Sequence, residues 1–385
     1  MRLPNYADGS IVNLISSIEA SYGLEPMYGN LRSLGPDSLS EYDNMVLMVI
    51  DGLGRIYLDK NHPNSFIGKY SRSSMTSVFP TTTSAGITSF STGVAPQQHA
   101  VTGWFMYLKE TGMVTKILPF MPRIGGMMLS DIGVDHSMLI GPKPIFDRLP
   151  VRSHCILKED ISGAAYTRYI SGNSTKMPYE DLDGFFENII KACKSPGGGE
   201  YIYAYWSHFD TICHMHGVES GEAHSHFGEI DNGVKRLCEE LEGTNTCVVL
   251  TADHGQINVE DGSVIDVADH PLLYDCLALP FSGESRAAYC YVRPSKVQAF
   301  ERYVEDELSE FCDLLVSSDM VDMGFFGLFE ADKRLYERIG DYTLLMKDNY
   351  VIKDDLLGEE RFVMKGYHGG LSEEELHVPL FFKGL

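Results

Sequence analysis

Three apolar runs and two helical stretches give the chain a regular alternation of predicted strands and helices. The runs VLMVI (46–50), YIYAYW (201–206) and CVVL (247–250) are short and continuous, which is typical of fully buried strands. Residues 225–243 carry apolar side chains at helical spacing and end on a glycine, and a second helix is expected at 84–92. Strands that alternate with helices predict an α/β fold with a doubly wound, mostly parallel sheet flanked by helices.

The spacing of these patterns also predicts an insertion. More than a hundred residues separate His254 from His368, and the segment 285–311 has the pattern of a strand followed by a helix, which is enough for a small subdomain. The alternative is that this segment adds strands to the main sheet. The predicted division is an N-terminal arm at 1–39, an α/β core at 40–265 and 362–385, and an inserted subdomain at 266–361.

Acidic and histidine residues follow the apolar runs in short motifs. Asp51 ends the first run, and Asp253 follows the third with His254 directly after it. Because the carboxyl ends of parallel strands meet at the edge of the sheet where ligands collect, these side chains are candidate metal ligands. An aspartate at a strand end is also a common turn or cap residue, so the interpretation depends on the whole set. The complete candidate set is Asp51, Asp210, His214, Asp253, His254 and His368.

The number and type of these residues indicate an open site for two cations. Asp210 and His214 are four residues apart, a spacing that places both on one face of a helix. Six ligands supply three for each of two cations and leave positions free, whereas a structural zinc site is closed and usually rich in cysteine. Two adjacent cations in an open site suit in-line displacement at phosphorus.

The order of these motifs resembles the alkaline phosphatase superfamily, and within it the nucleotide pyrophosphatase/phosphodiesterase family. The resemblance spans roughly residues 45–270 and 360–383 and rests on MVLMVIDGLG, FPTTTSAGITSFSTG, DTICHMHG, TADHGQ and YHGGLSEEELHVPLFF. It implies that Asp51, Asp253 and His254 hold one metal ion and that Asp210, His214 and His368 hold the other. It also implies two divalent cations, zinc with manganese as the alternative, and a cap over the metal site formed by the insertion.

The hydroxyl-rich turn contains three candidate nucleophiles, Thr81, Thr82 and Thr83. Aligning its Thr-Gly landmark with the family places Thr83 at the position of the nucleophile, which also touches a metal ion. A threonine hydroxyl needs activation to attack, and the start of a helix stabilises a bound anion. The alternatives are that Thr82 attacks or that the threonines only cap the helix. Where the resemblance leads us to expect an asparagine that contacts the phosphoryl oxygen, three residues after the nucleophile, the chain has Gly86.

These observations predict a metal-dependent phosphodiesterase or nucleotide pyrophosphatase that works through a phospho-threonine intermediate. The alternatives are a phosphomonoesterase or phosphomutase of the same superfamily and, from another class, a non-catalytic binding protein on this fold. A sulfatase is disfavoured because no cysteine lies in the hydroxyl turn. Trp104 and Phe105 are candidates for stacking on a nucleotide base, and Arg286 for contacting a phosphate, although packing and pairing are the more common roles of such residues.

Composition limits the partners of the chain. Its 385 residues carry 31 basic and 54 acidic side chains, a net charge of −23, which disfavours binding of long nucleic acids but not of a small phosphate ester beside metal ions. The N-terminus lacks the pattern of a signal peptide, and no segment reaches the ~20 apolar residues of a membrane helix. The cysteines inside apolar elements are expected to be core residues. We therefore expect a cytoplasmic enzyme without membrane contact; its oligomeric state stays open.

Overall fold

The computed structural model describes residues 2–359 and 364–385, without the side chain of Arg72. Its strands, in chain order, are β1 (Asn44–Ile50), β2 (Ser71–Thr76), β3 (Phe105–Leu108), β4 (Met113–Lys116), β5 (Met121–Pro122), β6 (Arg152–Lys158), β7 (Thr175–Tyr179), β8 (Glu200–Trp206), β9 (Thr246–Thr251), β10 (Ile257–Asn258), β11 (Val264–Asp266), β12 (Ser282–Glu284), β13 (Ala287–Cys290), β14 (Cys312–Val316), β15 (Tyr342–Met346), β16 (Val351–Lys353), β17 (Gly366–Tyr367) and β18 (His377–Gly384).

Helices of four to 20 residues precede or lie between these strands along the chain. In chain order they are α1 (Ile11–Ser21), α2 (Pro36–Leu39), α3 (Arg55–Asn61), α4 (Phe66–Tyr70), α5 (Thr83–Thr92), α6 (Pro96–His99), α7 (Glu159–Ser162), α8 (Ala165–Ile170), α9 (Leu182–Cys193), α10 (His208–His216), α11 (Gly221–Glu240), α12 (Pro271–Cys276), α13 (Val297–Tyr303), α14 (Ser317–Asp322), α15 (Lys333–Arg338) and α16 (Glu373–Leu376). None of the helices in the described part of the chain is long and apolar enough to cross a membrane.

The main sheet has seven strands in the order β2-β18-β9-β1-β8-β6-β7. Its five strands from β9 to β7 pair in parallel, and β18 pairs antiparallel with both β9 and β2. The central strands β1, β8 and β9 are buried along their whole length, because helices cover both faces of a parallel sheet. The predicted α/β class, with a large and mostly parallel sheet flanked by helices, is confirmed.

A second sheet of seven strands lies in the order β14-β15-β13-β12-β3-β4-β5. Four of its strands come from the predicted insertion. The other three, β3 to β5, come from the segment between α6 and β6, which the sequence analysis assigned to the core. Hairpin strands of only two to four residues carry too little periodicity to be predicted as part of this sheet. We call this second sheet with its helices the cap.

The N-terminal residues pack into the core of the molecule. Helix α1, inside the predicted arm, is almost wholly buried and packs against α5, the helix that follows the threonine run. All eight cysteines are buried free thiols, as expected of core residues. The division at 1–39, 40–265 with 362–385, and 266–361 stays a prediction, and its junction at 361–362 lies outside the described residues together with Met1.

Candidate active site

Asp51, Asp253 and His254 form a compact group at the carboxyl edge of the main sheet, here called the buried half. Asp51 follows β1 directly and Asp253 lies two residues beyond β9, so two neighbouring parallel strands deliver them to one place. The Nε2 atom of His254 lies 3.4 Å from Asp51 Oδ1 and 3.6 Å from Asp253 Oδ2. Those two carboxylate oxygens are buried and accept no hydrogen bond. The arrangement leaves them facing one common point.

Asp210, His214 and His368 form the second group, here called the open half. Asp210 and His214 lie on helix α10 at a four-residue spacing, and Asp210 Oδ2 lies 3.2 Å from His214 Nε2. His368 comes from the loop after β17, and its Nε2 lies 3.8 Å from Asp210 Oδ1. The imidazole of His368 also stacks on that of His254, with ring centroids 3.9 Å apart. The ring of His254 therefore borders both halves, and ligand atoms of Asp210, His254 and His368 lie within 4.8 Å of one another.

The three histidines are oriented in the same way. The Nδ1 atom of His214 donates to the carbonyl of Gly366 at 2.7 Å, and that of His254 donates to the carbonyl of Gly255 at 3.1 Å. His368 Nδ1 donates to a backbone carbonyl at 3.0 Å. Because a carbonyl only accepts, each Nδ1 carries a proton and each Nε2 faces the site, where it can offer a lone pair to a cation once it is deprotonated. Orientation by such a donor bond is the usual support of a metal-binding histidine.

The hydroxyls of Thr82 and Thr83 point to different partners. Thr83 is the first residue of α5, and its Oγ1 lies 3.2 Å from His254 Nε2 in the buried half. Thr82, the residue before the helix, donates its hydroxyl to Glu284 Oε1 of strand β12 at 2.5 Å. The two neighbours are therefore not interchangeable: one hydroxyl faces the candidate metal ligands, and the other is used to hold a carboxyl group of the cap.

Thr81 connects the threonine run to the loop that carries His368. Its hydroxyl donates to the carbonyl of Gly370 at 2.9 Å and accepts from the N–H of Gly369 at 3.1 Å. The carbonyl of Thr81 accepts the Nδ1–H bond of His368. These contacts join residues nearly three hundred positions apart, so the nucleophile turn and the last predicted ligand form one local unit.

A cavity of about 610 Å³ opens over both halves of the site. Its base includes Thr83, Asp210, His214 and His368. Its remaining wall is formed mostly by the cap and combines aromatic, apolar and charged side chains, among them Trp104, Phe105, Lys116, Arg123, Ile124, Glu284 and Met364. A larger cavity of about 720 Å³ elsewhere contains none of the seven predicted site residues. The first cavity is therefore the one in which a substrate can meet Thr83.

The charges of the two halves are balanced differently. Burial, with repulsion from Asp253 and Asp210, raises the pKa of Asp51 well above its ordinary value. Burial alone would also raise the pKa of Asp210, but the adjacent His214 lowers it below its ordinary value. Burial alone would lower the pKa of His214, but the adjacent Asp210 raises it to about 9. Burial and the neighbouring His254 lower the pKa of His368.

Three further residues at the site were not predicted from the sequence. Tyr205, next to the end of β8, donates its hydroxyl to Asp51 Oδ2, and the amide of Gln256 donates to Asp210 Oδ1. Both could have been found: Tyr205 lies near the end of a buried run and pairs with Val49, two residues before Asp51 on the adjacent strand, and Gln256 directly continues the Asp-His-Gly motif. No local pattern singles out Glu284, which becomes part of the site only through the cap.

Two residues that the sequence analysis considered for phosphate contacts have structural roles. A Cβ atom at Gly86 would lie 2.7 Å from the Cβ of Asp253, so helix α5 packs too closely on the ligand strand for an asparagine. Arg286 is buried and forms a bidentate ion pair with Glu375, at 3.2 and 2.9 Å, and it also donates to the carbonyl of Tyr350. Its guanidinium is thus fully occupied inside the protein.

Comparison with known proteins identifies the family. Residues 45–371 match the family described as type I phosphodiesterase / nucleotide pyrophosphatase. The chain belongs to this family. As a member, it is a hydrolase that acts on phosphoester bonds, and the family is metal-dependent. No curated protein sequence matches the chain significantly.

Solved structures of family and superfamily members share the fold at low sequence identity. Murine ectonucleotide pyrophosphatase/phosphodiesterase 5 superposes with a TM-score of 0.65 at 15% identity, covering 87% of each chain. The human protein of the same name gives 0.65 at 16% identity, covering 88% of this chain and 87% of that one. Phosphonoacetate hydrolase from Sinorhizobium meliloti 1021 gives 0.63 at 17%, with 88% and 89% covered. At these identities the likeness concerns the fold alone.

Proposed function

We propose that this family member is a two-metal phosphodiesterase or nucleotide pyrophosphatase that cleaves a phosphate diester or anhydride bond through a phosphorylated Thr83. The observation that carries the proposal is the position of the Thr83 hydroxyl, 3.2 Å from His254 Nε2 in the buried half. Thr83 is also the first residue of α5, where backbone N–H groups and the helix dipole stabilise a bound anion. One murine relative has been solved with AMP, which supports a nucleotide as the substrate class.

The donor atoms present fit two divalent cations. In the buried half, two unpartnered carboxylate oxygens and one imidazole converge, and a buried carboxylate without a partner is costly unless a cation balances it. In the open half, Asp210, His214 and His368 supply one carboxylate and two oriented imidazoles. Nitrogen and oxygen donors without cysteine suit zinc or manganese. Bound there, the cations would lower the pKa of an attacking hydroxyl and neutralise charge on the leaving oxygen.

The chain itself supplies the nucleophile and its alignment. Thr83 attacks phosphorus, the bond to the leaving oxygen breaks, and a threonine phosphoester forms; water then attacks the same phosphorus and releases Thr83. Thr81 and Thr82 hold the turn from both sides, through the His368 loop and through Glu284. Helix α5 presents its first N–H groups to the phosphoryl oxygens. The backbone thereby fulfils the role for which an asparagine side chain has no room at Gly86.

The first experiment compares two chromogenic esters on purified protein. The nitrophenyl ester of a nucleoside monophosphate tests diester cleavage, and nitrophenyl phosphate tests monoester cleavage. We expect the higher kcat/KM for the diester, because it carries one fewer negative charge into a cavity with several carboxylates. A higher value for nitrophenyl phosphate would assign the protein to the phosphomonoesterases. Loss of turnover after chelation, with recovery on adding zinc or manganese, tests the metal requirement.

The second experiment tests the nucleophile. Thr83→Ala removes the attacking oxygen, and we expect kcat to fall by roughly three powers of ten or more while metal content and folding are retained. Thr83→Ser keeps a hydroxyl and should retain part of the activity. Thr82→Ala is the matched control and should lose far less, because its hydroxyl contacts Glu284 and not the candidate ligands. The opposite ranking of the two alanine variants would move the nucleophile to Thr82.

We also propose a cellular location, which the state of the cysteines supports. Eight buried free cysteines suit a reducing compartment, so we place the protein in the cytoplasm. Immunoblotting of fractionated cells tests this location, and recovery only from the extracellular fraction would contradict it.

A further inference from the structure

We propose that Glu284 is a specificity-determining residue whose carboxylate disfavours dianionic phosphoryl groups and so selects phosphodiesters over phosphomonoesters. The inference rests on the proposed function and adds the residue that sets the charge of the preferred substrate. Glu284 ends strand β12 of the cap and lines the cavity that contains Thr83, Asp210, His214 and His368.

The two oxygens of the Glu284 carboxyl group have different environments. Oε1 accepts two hydrogen bonds, from the hydroxyl of Thr82 at 2.5 Å and from the N–H of Trp104 at 2.6 Å. Oε2 makes no hydrogen bond and no ion pair with any other described residue. One oxygen therefore fixes the side chain against the threonine run and the cavity wall, and the other is available to whatever occupies the cavity.

No direct ion pair neutralises the Glu284 carboxylate. Burial raises the pKa of Glu284 to about 7, so the negatively charged form predominates above that pH. Other carboxylates on the cap wall are paired; Glu359, for example, accepts two bonds from Arg123 at 3.1 and 2.8 Å. Arg123 also binds Asp354 at 2.8 Å, so its charge is used. Glu284 forms no ion pair with a described residue, although His254 and His214 lie near enough to act on its charge. Its Oε1 binds Thr82, the residue next to the nucleophile. A phosphoryl group placed for attack by Thr83 therefore approaches a carboxylate that no direct ion pair neutralises.

Charge distinguishes the two ester classes at this position. A diester carries one negative charge and a monoester two near neutral pH, because the second phosphate pKa is about 6. Repulsion from one nearby carboxylate therefore acts about twice as strongly on the monoester, whereas the hydrogen-bonding role of Oε1 is the same for both. The ratio of the two kcat/KM values isolates the effect of charge from general damage to the site.

The test uses the metal-loaded enzyme at about pH 8.5, where both Glu284 and the monoester are ionised, with the two nitrophenyl esters and three variants. Glu284→Gln keeps an acceptor oxygen for Thr82 and Trp104 but removes the charge, and it should raise the monoester-to-diester ratio about tenfold, mainly through a lower KM for the monoester. Glu284→Asp keeps the charge with shorter reach, so both rates should fall while the ratio stays within about twofold of wild type. Lys116→Gln removes a cation from the same cavity wall and should shift the ratio in the opposite direction.

A binding measurement makes the test independent of turnover. Inorganic phosphate, as a competitive inhibitor, should bind Glu284→Gln about tenfold more tightly than wild type. An unchanged ester ratio and an unchanged inhibition constant in Glu284→Gln would overturn the inference. A rise of the monoester-to-diester ratio in Glu284→Asp as large as that in Glu284→Gln would also overturn it. These failures differ from failure of the proposed function, in which the wild-type enzyme would cleave neither ester or would prefer nitrophenyl phosphate.

Discussion

The buried half of the site differs from the open half in both exposure and charge. The side chains of Asp253 and His254 are 0% exposed, whereas that of His214 is 21% exposed. In the open half, Asp210 and His214 form an ion pair that balances itself. In the buried half, two carboxylates face one imidazole, and one oxygen of each carboxylate has no partner. Without a cation the open half is electrostatically satisfied and the buried half is not.

The difference teaches that similar ligand types can serve different purposes in one site. The buried half is built from strand ends that the parallel sheet fixes, so its geometry exists before any ion binds. The open half is built from a helix and a loop held by backbone carbonyls, and it borders the cavity through which a substrate arrives. We therefore expect the buried half to hold its cation more tightly and the open half to exchange its cation more readily.

The largest expected effect comes from removing a ligand of either half. Asp253→Ala should lower kcat/KM by roughly a thousandfold, without rescue by excess zinc, because no other group can reach the buried position. His214→Ala should lower it less and should regain activity as zinc is raised. Metal content by mass spectrometry and rates at several zinc concentrations check both variants. Equal rescue of the two would show that the halves do not differ in affinity.

A second prediction concerns the packing that positions the buried half. Gly86→Ala places a methyl group 2.7 Å from the Cβ of Asp253, so strand and helix must separate. We expect a loss of about 3 kcal/mol in the free energy of unfolding, together with a loss of the buried-half metal ion. Gly228→Ala is the matched control, because a Cβ there meets open space in helix α11 and should stabilise slightly. Urea unfolding measures both.

A third prediction uses protein stripped of metal. Asp51→Asn should raise its free energy of unfolding by about 2 kcal/mol, because an amide avoids the cost of burying the Asp51 carboxylate or of protonating it. Asp210→Asn should instead lower the free energy of unfolding, because it leaves His214 without its counter-charge. Unfolding in chelator, followed by circular dichroism, distinguishes the signs. Destabilisation by both substitutions would mean that the two halves are balanced alike.

The smallest expected effect is on the pH dependence of stability. It concerns His99, a buried neutral histidine that contacts helix α5, in contrast to the charged His214. Burial lowers the pKa of His99, which contacts Ser89 of α5 at 3.0 Å, to about 3. His99 is thus neutral when folded, whereas the unfolded chain takes up a proton below about pH 6.5. Stability should fall by up to about 1.4 kcal/mol per pH unit as the pH drops from 6.5 towards 3.

His99→Gln should reduce the slope of stability against pH by that amount, and the surface substitution His216→Gln serves as its control. Urea unfolding at pH 7, 6 and 5 gives the slopes. Identical slopes for wild type and His99→Gln would show that this histidine is not neutral in the folded protein.

The predictable parts of the molecule are those that local patterns determine. Buried runs ending in Asp51 and Asp253 indicated the central strands, and the fold class followed from their alternation with helices. The pairing of strand β18 with β2 and the attachment of the β3–β5 hairpins to β12 depend on contacts between distant segments, about which periodicity carries no information. The role of Glu284 could not be predicted for the same reason, because its contact with Thr82 spans 202 positions.

The buried ion pair of Arg286 and Glu375 bears on how substrates enter. Arg286 precedes strand β13 of the cap, while Glu375 precedes β18 of the main sheet and accepts the N–H of Gly370 beside His368. Separating the partners would leave both charges buried and alone, at a cost of about 3–5 kcal/mol. The ion pair therefore opposes movement of the cap away from the main sheet. We therefore expect the width of the cavity entrance to limit the size of the substrates that reach Thr83.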